Sequence, residues 1–214
     1  MTLLAGMLER ARALDLGDAE MEGAAEAADA ALASWGPGVP TETNLAKQLA
    51  WSLLDRLPVI EASGFLTAVA RRWKTQLNEN AKTMAAWEEL PEANHNTVVG
   101  HAQPDPLRDH QLVVFLASVF DHPRNVRRAG LSAALLADAR IASQSVMVSG
   151  PSRFAQAMSA IVLGDLVSAY LAVLYGVDPT PVDAISRLKA ALATADDGDR
   201  EGTTDPSGED THPE

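Results

Sequence analysis

The sequence predicts an α/β domain in which a parallel sheet is flanked by helices. Apolar runs, among them Pro58-Val59-Ile60 and Leu112-Val113-Val114-Phe115-Leu116, are continuous rather than alternating, as in strands buried on both faces. Segments of helical length and period separate these runs. Alanine accounts for 38 of the 214 residues, about 18%, against 10 aromatics, a balance that favours helices packed through small side chains and disfavours all-β architectures. That length suffices for one core with appendages and falls short of two complete α/β domains.

Leu3, Leu4, Met7, Leu8, Ala11 and Leu14 recur at helical spacing, and an alanine-rich second helix runs from an N-cap at Asp18 to Trp35. Gly36-Pro37-Gly38-Val39-Pro40 ends it. Residues 1–40 thus read as a helical segment set off by a hinge, an appendage or the remnant of something upstream. Leu45, Leu49, Leu53 and Leu54 mark a helix from Thr43 to about Leu57, followed by a short buried strand over Pro58–Ala62. After Ser63-Gly64, Leu66, Val69, Trp73 and Leu77 define the apolar face of a helix from Phe65 to about Leu77, opening a βαβ unit.

Further strands are predicted over Met84–Leu90, Gln111–Ser118 and Ser145–Val148. Helices are predicted over Arg124–Ala139, Ser152–Tyr175, with Ser152 as N-cap, and Val182 to about Leu192. Beyond Ala195 the chain is Asp, Gly, Thr, Ser and Pro, a composition that buries nothing, so 196–214 is expected to be a disordered acidic tail. Eight acids against Arg200 alone place −7 of the total formal charge of −12 in those nineteen residues. No Lys/Arg-rich face that could displace counterions from phosphates is present, which argues against nucleic acid. Cysteine is absent, which excludes disulfides and thiolate chemistry. The apolar runs look too short to span a bilayer, and Glu9 and Arg10 interrupt any signal-peptide layout, so a soluble cytoplasmic protein is expected.

Open parallel sheets bind ligands outside the carboxyl ends of their strands, and two polar stretches are expected there. The first is Gln76-Leu77-Asn78-Glu79-Asn80-Ala81-Lys82. It reads either as a solvated helix end with amide caps or as a carboxylate held by amides for general-base work. The second, Glu89-Leu90-Pro91-Glu92-Ala93-Asn94-His95-Asn96, sets a histidine between asparagines of which Asn94 or Asn96 can cap a helix near Thr97. A neutral imidazole at such a helix start could shuttle a proton, or His95 is plain polar surface. His101, His110 and His122 lack ligand spacing, and His212 lies in the tail, so no metal is assigned. Phosphate-loop, dinucleotide and nucleophile-elbow motifs are missing. Ser149-Gly150-Pro151-Ser152 could hold an anion or simply start a helix, and Asp165 with Ser168 reads as an internal hydrogen-bond pair.

The stretches Arg72 to Lys82 (RWKTQLNENAK), Glu89 to Asn96 (ELPEANHN), Gly164 to Ala172 (GDLVSAYLA) and Gly176 to Val182 (GVDPTPV), ending in Leu188-Lys189, resemble in order the C-terminal half of the bifunctional phosphoglucose/phosphomannose isomerases. The resemblance covers about residues 43–194 and implies a flavodoxin-like sugar-isomerase (SIS) domain at 41–195, the second of two in that family. It implies an isomerisation of glucose 6-phosphate or mannose 6-phosphate with fructose 6-phosphate through a cis-enediolate, with no cofactor. By motif position Glu79 would move the proton between C1 and C2, and His95, donated by a neighbouring subunit, would open the sugar ring. Lys189 would lie near the ring oxygen or phosphate, and Asn78, Asn80 and Asn94 would contact substrate.

Such proteins are homodimers with shared active sites, in which the first SIS domain grips the phosphate. Here only some forty residues precede the second domain, so a first domain is expected from a longer protein or a separate chain. The alternative is a non-catalytic sugar-phosphate-binding or dimerisation module.

Overall fold

The computed structural model describes residues 16–101 and 103–201, together with Met7 and Arg10. The helix expected over Leu3 to Leu14 otherwise lies outside them. Two units make up the chain: Met1–Pro179 carries the sheet, and Thr180–Glu214 carries the last helix. In chain order the described elements are α1 (Asp18–Trp35), α2 (Leu45–Leu53), β1 (Leu57–Ser63), α3 (Leu66–Glu79), β2 (Ala86–Leu90), the short α4 (Thr97–Gly100), β3 (Gln111–Ala117), α5 (Pro123–Asp138), β4 (Ala142–Met147), α6 (Arg153–Tyr175) and α7 (Asp183–Glu201).

All three strand pairs are parallel, in the order β2-β1-β3-β4. The order reverses direction between β1 and β3, the switch point of a doubly wound sheet. Side chains alternate across it. Ile60, Ala62, Leu112, Val114 and Leu116 meet α2, α3 and α6 in one core, while Val59, Val113, Phe115 and Leu90 meet Leu136 of α5 and Ala93 in a second, smaller one. The continuous apolar runs thus belong to strands covered on both sides. β4 begins three residues before its predicted start because Ser143 and Gln144 belong to an edge strand, where polar side chains reach solvent.

The N-cap of α1 falls one residue earlier than expected: Gly17 takes that position, and Asp18 is the first helical residue. α1 lies in the same unit as the sheet, packs along α6 and buries Ala24 and Ala31. Its junction with α2 is clamped. The fully buried Asn44 side chain caps α2 by accepting from Lys47 N at 3.1 Å and donates to Trp35 O at 2.9 Å and Gly36 O at 3.2 Å. Lys47 Nζ donates to Pro37 O and Val39 O across the Gly/Pro segment, and the Tyr170 hydroxyl of α6 donates to Trp35 O at 2.7 Å.

α6 is long and apolar enough to cross a bilayer by length and composition, contrary to the expectation from apolar runs. Here it is the principal core helix, with ten residues buried against its neighbours. Ser152 caps it by accepting from Ala155 N, and Gly176 ends it in the left-handed region at φ 67°, where a glycine meets no Cβ penalty. In its middle, Gly164 admits the indole of Trp73 from α3. A Cβ at 164 would collide with the ring at Nε1, which donates to Ala160 O at 2.8 Å. Ser168 hydrogen-bonds the backbone carbonyl of Asp165, not its carboxylate, which faces Arg72 and Gln76 of α3 instead. α7 continues to Glu201, six residues beyond the boundary drawn at Ala195, and residues 202–214 lie outside the described residues.

Candidate active site

The two polar stretches do not share one edge of the sheet. A helix that follows a parallel strand runs back along it, so α3 starts at the carboxyl edge after Ser63 and delivers Glu79 to the amino edge. β2 then rises from Ala86 to Leu90 and places Glu92-Ala93-Asn94-His95-Asn96 at the carboxyl edge. The expectation that both lay at the carboxyl ends is corrected by half. Five residues of β2, about 16 Å of strand at 3.3 Å per residue, separate them.

At the amino edge the motif forms a braced corner. Asn78 Nδ2 donates to Thr83 O at 2.8 Å, and Asn80 Nδ2 donates to Ser168 Oγ at 2.9 Å. Lys82, at φ 56°, turns the chain back and donates through Nζ to the Glu79 carbonyl at 2.5 Å and to Pro179 O at 3.2 Å. Gln76 and Arg72 hold Asp165, the latter at 3.3 Å. Between the two anchored amides the Glu79 side chain is exposed. Helix C-termini carry partial negative charge, so an acid as the last residue of α3 opposes helix stability. Asn80 is the C-cap of α3 through its backbone N–H, and neither amide side chain bonds an end carbonyl of that helix: Asn78 braces the turn to Thr83 and Asn80 reaches across to α6.

At the carboxyl edge His95 is exposed, and Asn96 caps α4 by accepting from Thr97 N. Asn94 is half-buried and donates to Ser132 Oγ of α5 at 2.7 Å. Lys189 lies exposed on α7 in the second unit. Among the described residues, no group of three or more His, Asp or Glu side chains is arranged to hold a metal ion.

Two polar features escaped the sequence reading. One lies at the β1/β3 switch point, where Asp121 accepts from Ser63 Oγ at 3.1 Å and Ser118 N at 2.8 Å, and Ser118 Oγ donates to Gln156 Oε1 at 2.6 Å. A cavity of about 220 Å³ opens beside it, lined by Leu90, Asn125 and Met147 among others. Both carboxylate oxygens of Asp121 are engaged in pinning the loop, and as an anionic acceptor it does not grip a phosphate. The other is Glu61, 3% exposed in the middle of β1, whose carboxyl burial pushes up to about 7, with Glu88 beside it adding to the rise. A lone acid inside Pro58-Val59-Ile60-Glu61-Ala62 was its only sequence signal.

An open, doubly wound α/β sheet with a braced acidic corner at one edge and an exposed histidine loop at the other defines the class as a flavodoxin-like domain. Residues 42–192 match the bacterial phospho-glucose isomerase C-terminal SIS domain, and the chain belongs to that family. The chain is 41% identical over 162 residues to the bifunctional phosphoglucose/phosphomannose isomerase of Caldicellulosiruptor bescii, covering 75% of this chain and 48% of that protein. It is 34% identical over 146 residues to the protein of the same name from Aquifex aeolicus, covering 68% and 45%. Among solved structures, a glucose-6-phosphate isomerase like protein from Thermus thermophilus superposes with a TM-score of 0.64 at 30% identity, covering 74% of this chain and 53% of that one. The chain thus spans about half the length of the curated relatives it matches.

Proposed function

We propose that this chain acts as the C-terminal half of a phosphohexose isomerase, interconverting glucose 6-phosphate or mannose 6-phosphate with fructose 6-phosphate. The observation that carries the reading is the amino-edge corner, in which two amides, a lysine and a buried serine fix the backbone around an exposed carboxylate. In this reading the Glu79 carboxylate removes the C2 proton of the open-chain aldose. The electron pair forms a C1–C2 double bond as the C1=O π pair moves onto O1, giving an enediolate. The O2 hydroxyl proton passes to O1, and as C2=O forms the C1–C2 π pair takes the proton back from Glu79 at C1 to give the ketose. Asn78 and Asn80, whose NH2 groups are committed to the chain itself, position Glu79; with Asn78 Oδ1 buried, Asn80 Oδ1 is the amide oxygen left for substrate. Lys189, exposed on α7, is the candidate for the ring oxygen or phosphate by its motif alone, and no cofactor enters.

His95 stands at the other edge of its own sheet, so we assign ring opening at a given Glu79 to the His95 of a second copy. Laying a second copy over the corner also supplies the desolvation that a carboxylate base needs and that a single chain, with Glu79 exposed, does not. The phosphate grip is assigned to a first SIS domain, in a longer protein or in a partner chain, and the reaction to the cytoplasm.

The test is exchange of the C2 proton of glucose 6-phosphate with deuterated solvent, followed by NMR with the chain alone and with a first SIS domain supplied. Exchange that disappears in Glu79→Gln supports the reading. Binding of sugar phosphate without exchange in either setting returns the non-catalytic module.

A further inference from the structure

The second, smaller core contains a polar flaw. Beneath the histidine loop and α5 lies a cavity of about 10 Å³, room for about one water, lined by Glu61, Ala93, Asn94, Val98, His101 and Ser132 among others. Two oxygens of its lining, Glu61 Oε2 and Asn94 Oδ1, are buried without a hydrogen-bond partner. The Asn94 amide NH2 is already engaged with Ser132 Oγ. His101 Nδ1 faces Gln111 Oε1 at 3.1 Å, where it donates to that oxygen.

Two unsatisfied acceptors therefore line the same small cavity. Of the groups lining the cavity only Glu61 and His101 titrate. β2 adds Glu88, directly opposite Glu61 in register, while β3 presents Phe115 there and α5 presents Ser132 and Leu136. Among the described residues the ion pairs are Arg72–Asp165 and Arg108–Asp105, so no cation accompanies Glu61. A buried charge without a partner and with a like charge beside it is the arrangement that a carboxyl group avoids by keeping its proton.

We infer that Glu61 is a neutral acid whose proton, directly or through one water, bonds Asn94 Oδ1 and so holds the loop that carries His95 onto the sheet. One hydrogen satisfies both orphan acceptors. Glu61 touches no substrate and is a positioning residue acting through Asn94 on the next residue in the chain. The raised proton affinity of its carboxyl places release of the proton near neutral pH. Above it, a carboxylate and an amide oxygen face each other with no proton between them, and the loop loosens. The consequence for turnover rests on the isomerase reading of His95, but the latch itself does not.

The test is made on the full chain without sugar phosphate, so its failure leaves the isomerase reading standing and a failure of that reading leaves the latch testable. Backbone amide exchange of residues 92–96 is followed from pH 5 to pH 8.5, alongside the Glu61 carboxyl carbon by NMR. Wild type should show loop exchange, corrected for intrinsic pH dependence, rising about tenfold as the carboxyl titrates. Glu61→Gln, which donates at every pH, should keep the loop protected throughout. Asn94→Ala should make Glu61 release its proton at lower pH, because the acceptor that favours the neutral form is gone. If Asn94→Ala instead raises the pH of release, the amide donates to a carboxylate and the inference is overturned. A Glu61 that titrates without any change in loop exchange overturns it equally, and that comparison needs only wild type should Glu61→Gln fail to fold.

Discussion

Glu79 and His95 stand at opposite ends of β2, the acid where α3 delivers the chain to the amino edge and the histidine where the strand releases it at the carboxyl edge. No side-chain rearrangement brings them together, because α3 and β2 are both fixed in the sheet by core residues such as Trp73, Leu77 and Leu90. Any reaction that uses both must draw them from two chains.

Replacing Glu79 by Gln keeps shape and removes basicity. In the presence of a first SIS domain, kcat should fall by about 10² to 10⁴ while KM changes little, the ordinary contribution of a positioned base. Thermal unfolding should be nearly unchanged, since the side chain is exposed. Steady-state kinetics with glucose 6-phosphate check the first and calorimetry the second.

Asn80→Ala should behave differently from Glu79→Gln. It removes a hydrogen bond to the fully buried Ser168, at a cost of about 1–2 kcal/mol. It should lower kcat through a loosened corner. Chemical denaturation and kinetics on one variant separate the two effects, and an unchanged midpoint would contradict the bracing role.

Gly164→Ala places a methyl against a fully packed indole, in collision with Trp73 Nε1. The expected loss is about 1–3 kcal/mol, with an indole environment altered enough to shift tryptophan fluorescence. Stability equal to wild type would mean that α3 and α6 part at no cost.

Glu61 makes stability depend on pH. Its folded-state value of about 7 lies above the ordinary 4.5, so between those values the native state keeps a proton that the unfolded state has released. Its contribution is fully present below pH 4.5, declines as pH rises through that window and is lost above about 7, by about 3 kcal/mol at most. Urea midpoints of wild type should fall relative to Glu61→Gln across the window. Parallel profiles for the two proteins would contradict the assignment.

Much of the fold was legible because its signals are local. Pro58–Ile60 and Leu112–Leu116 are continuous apolar runs, and Trp73 and Leu77 hold helical register, so β1, β3 and α3 follow from pattern alone. β4 was placed short because Ala142-Ser143-Gln144 is polar, as an edge strand permits. The site was legible as residues rather than as a place. Motif positions singled out Glu79 and His95, yet which edge each occupies follows from the direction of α3, and a period of 3.6 carries no direction relative to a sheet. Glu61 and Asp121 went unread for another reason: their environments are made by residues tens of positions away, such as Ser132 and Ser63, and no local pattern encodes that.

The shared-site proposal is tested most directly by mixing two inactive variants, Glu79→Gln and His95→Ala, unfolding and refolding them together with a first SIS domain present. In a two-fold dimer each mixed pair contains one site with both Glu79 and His95 intact and one with neither. Random pairing should therefore restore about one quarter of wild-type turnover, while each variant refolded alone stays inactive. If the mixture remains as inactive as its components although the chains pair, Glu79 and His95 do not meet across two copies, and the proposed active site is contradicted.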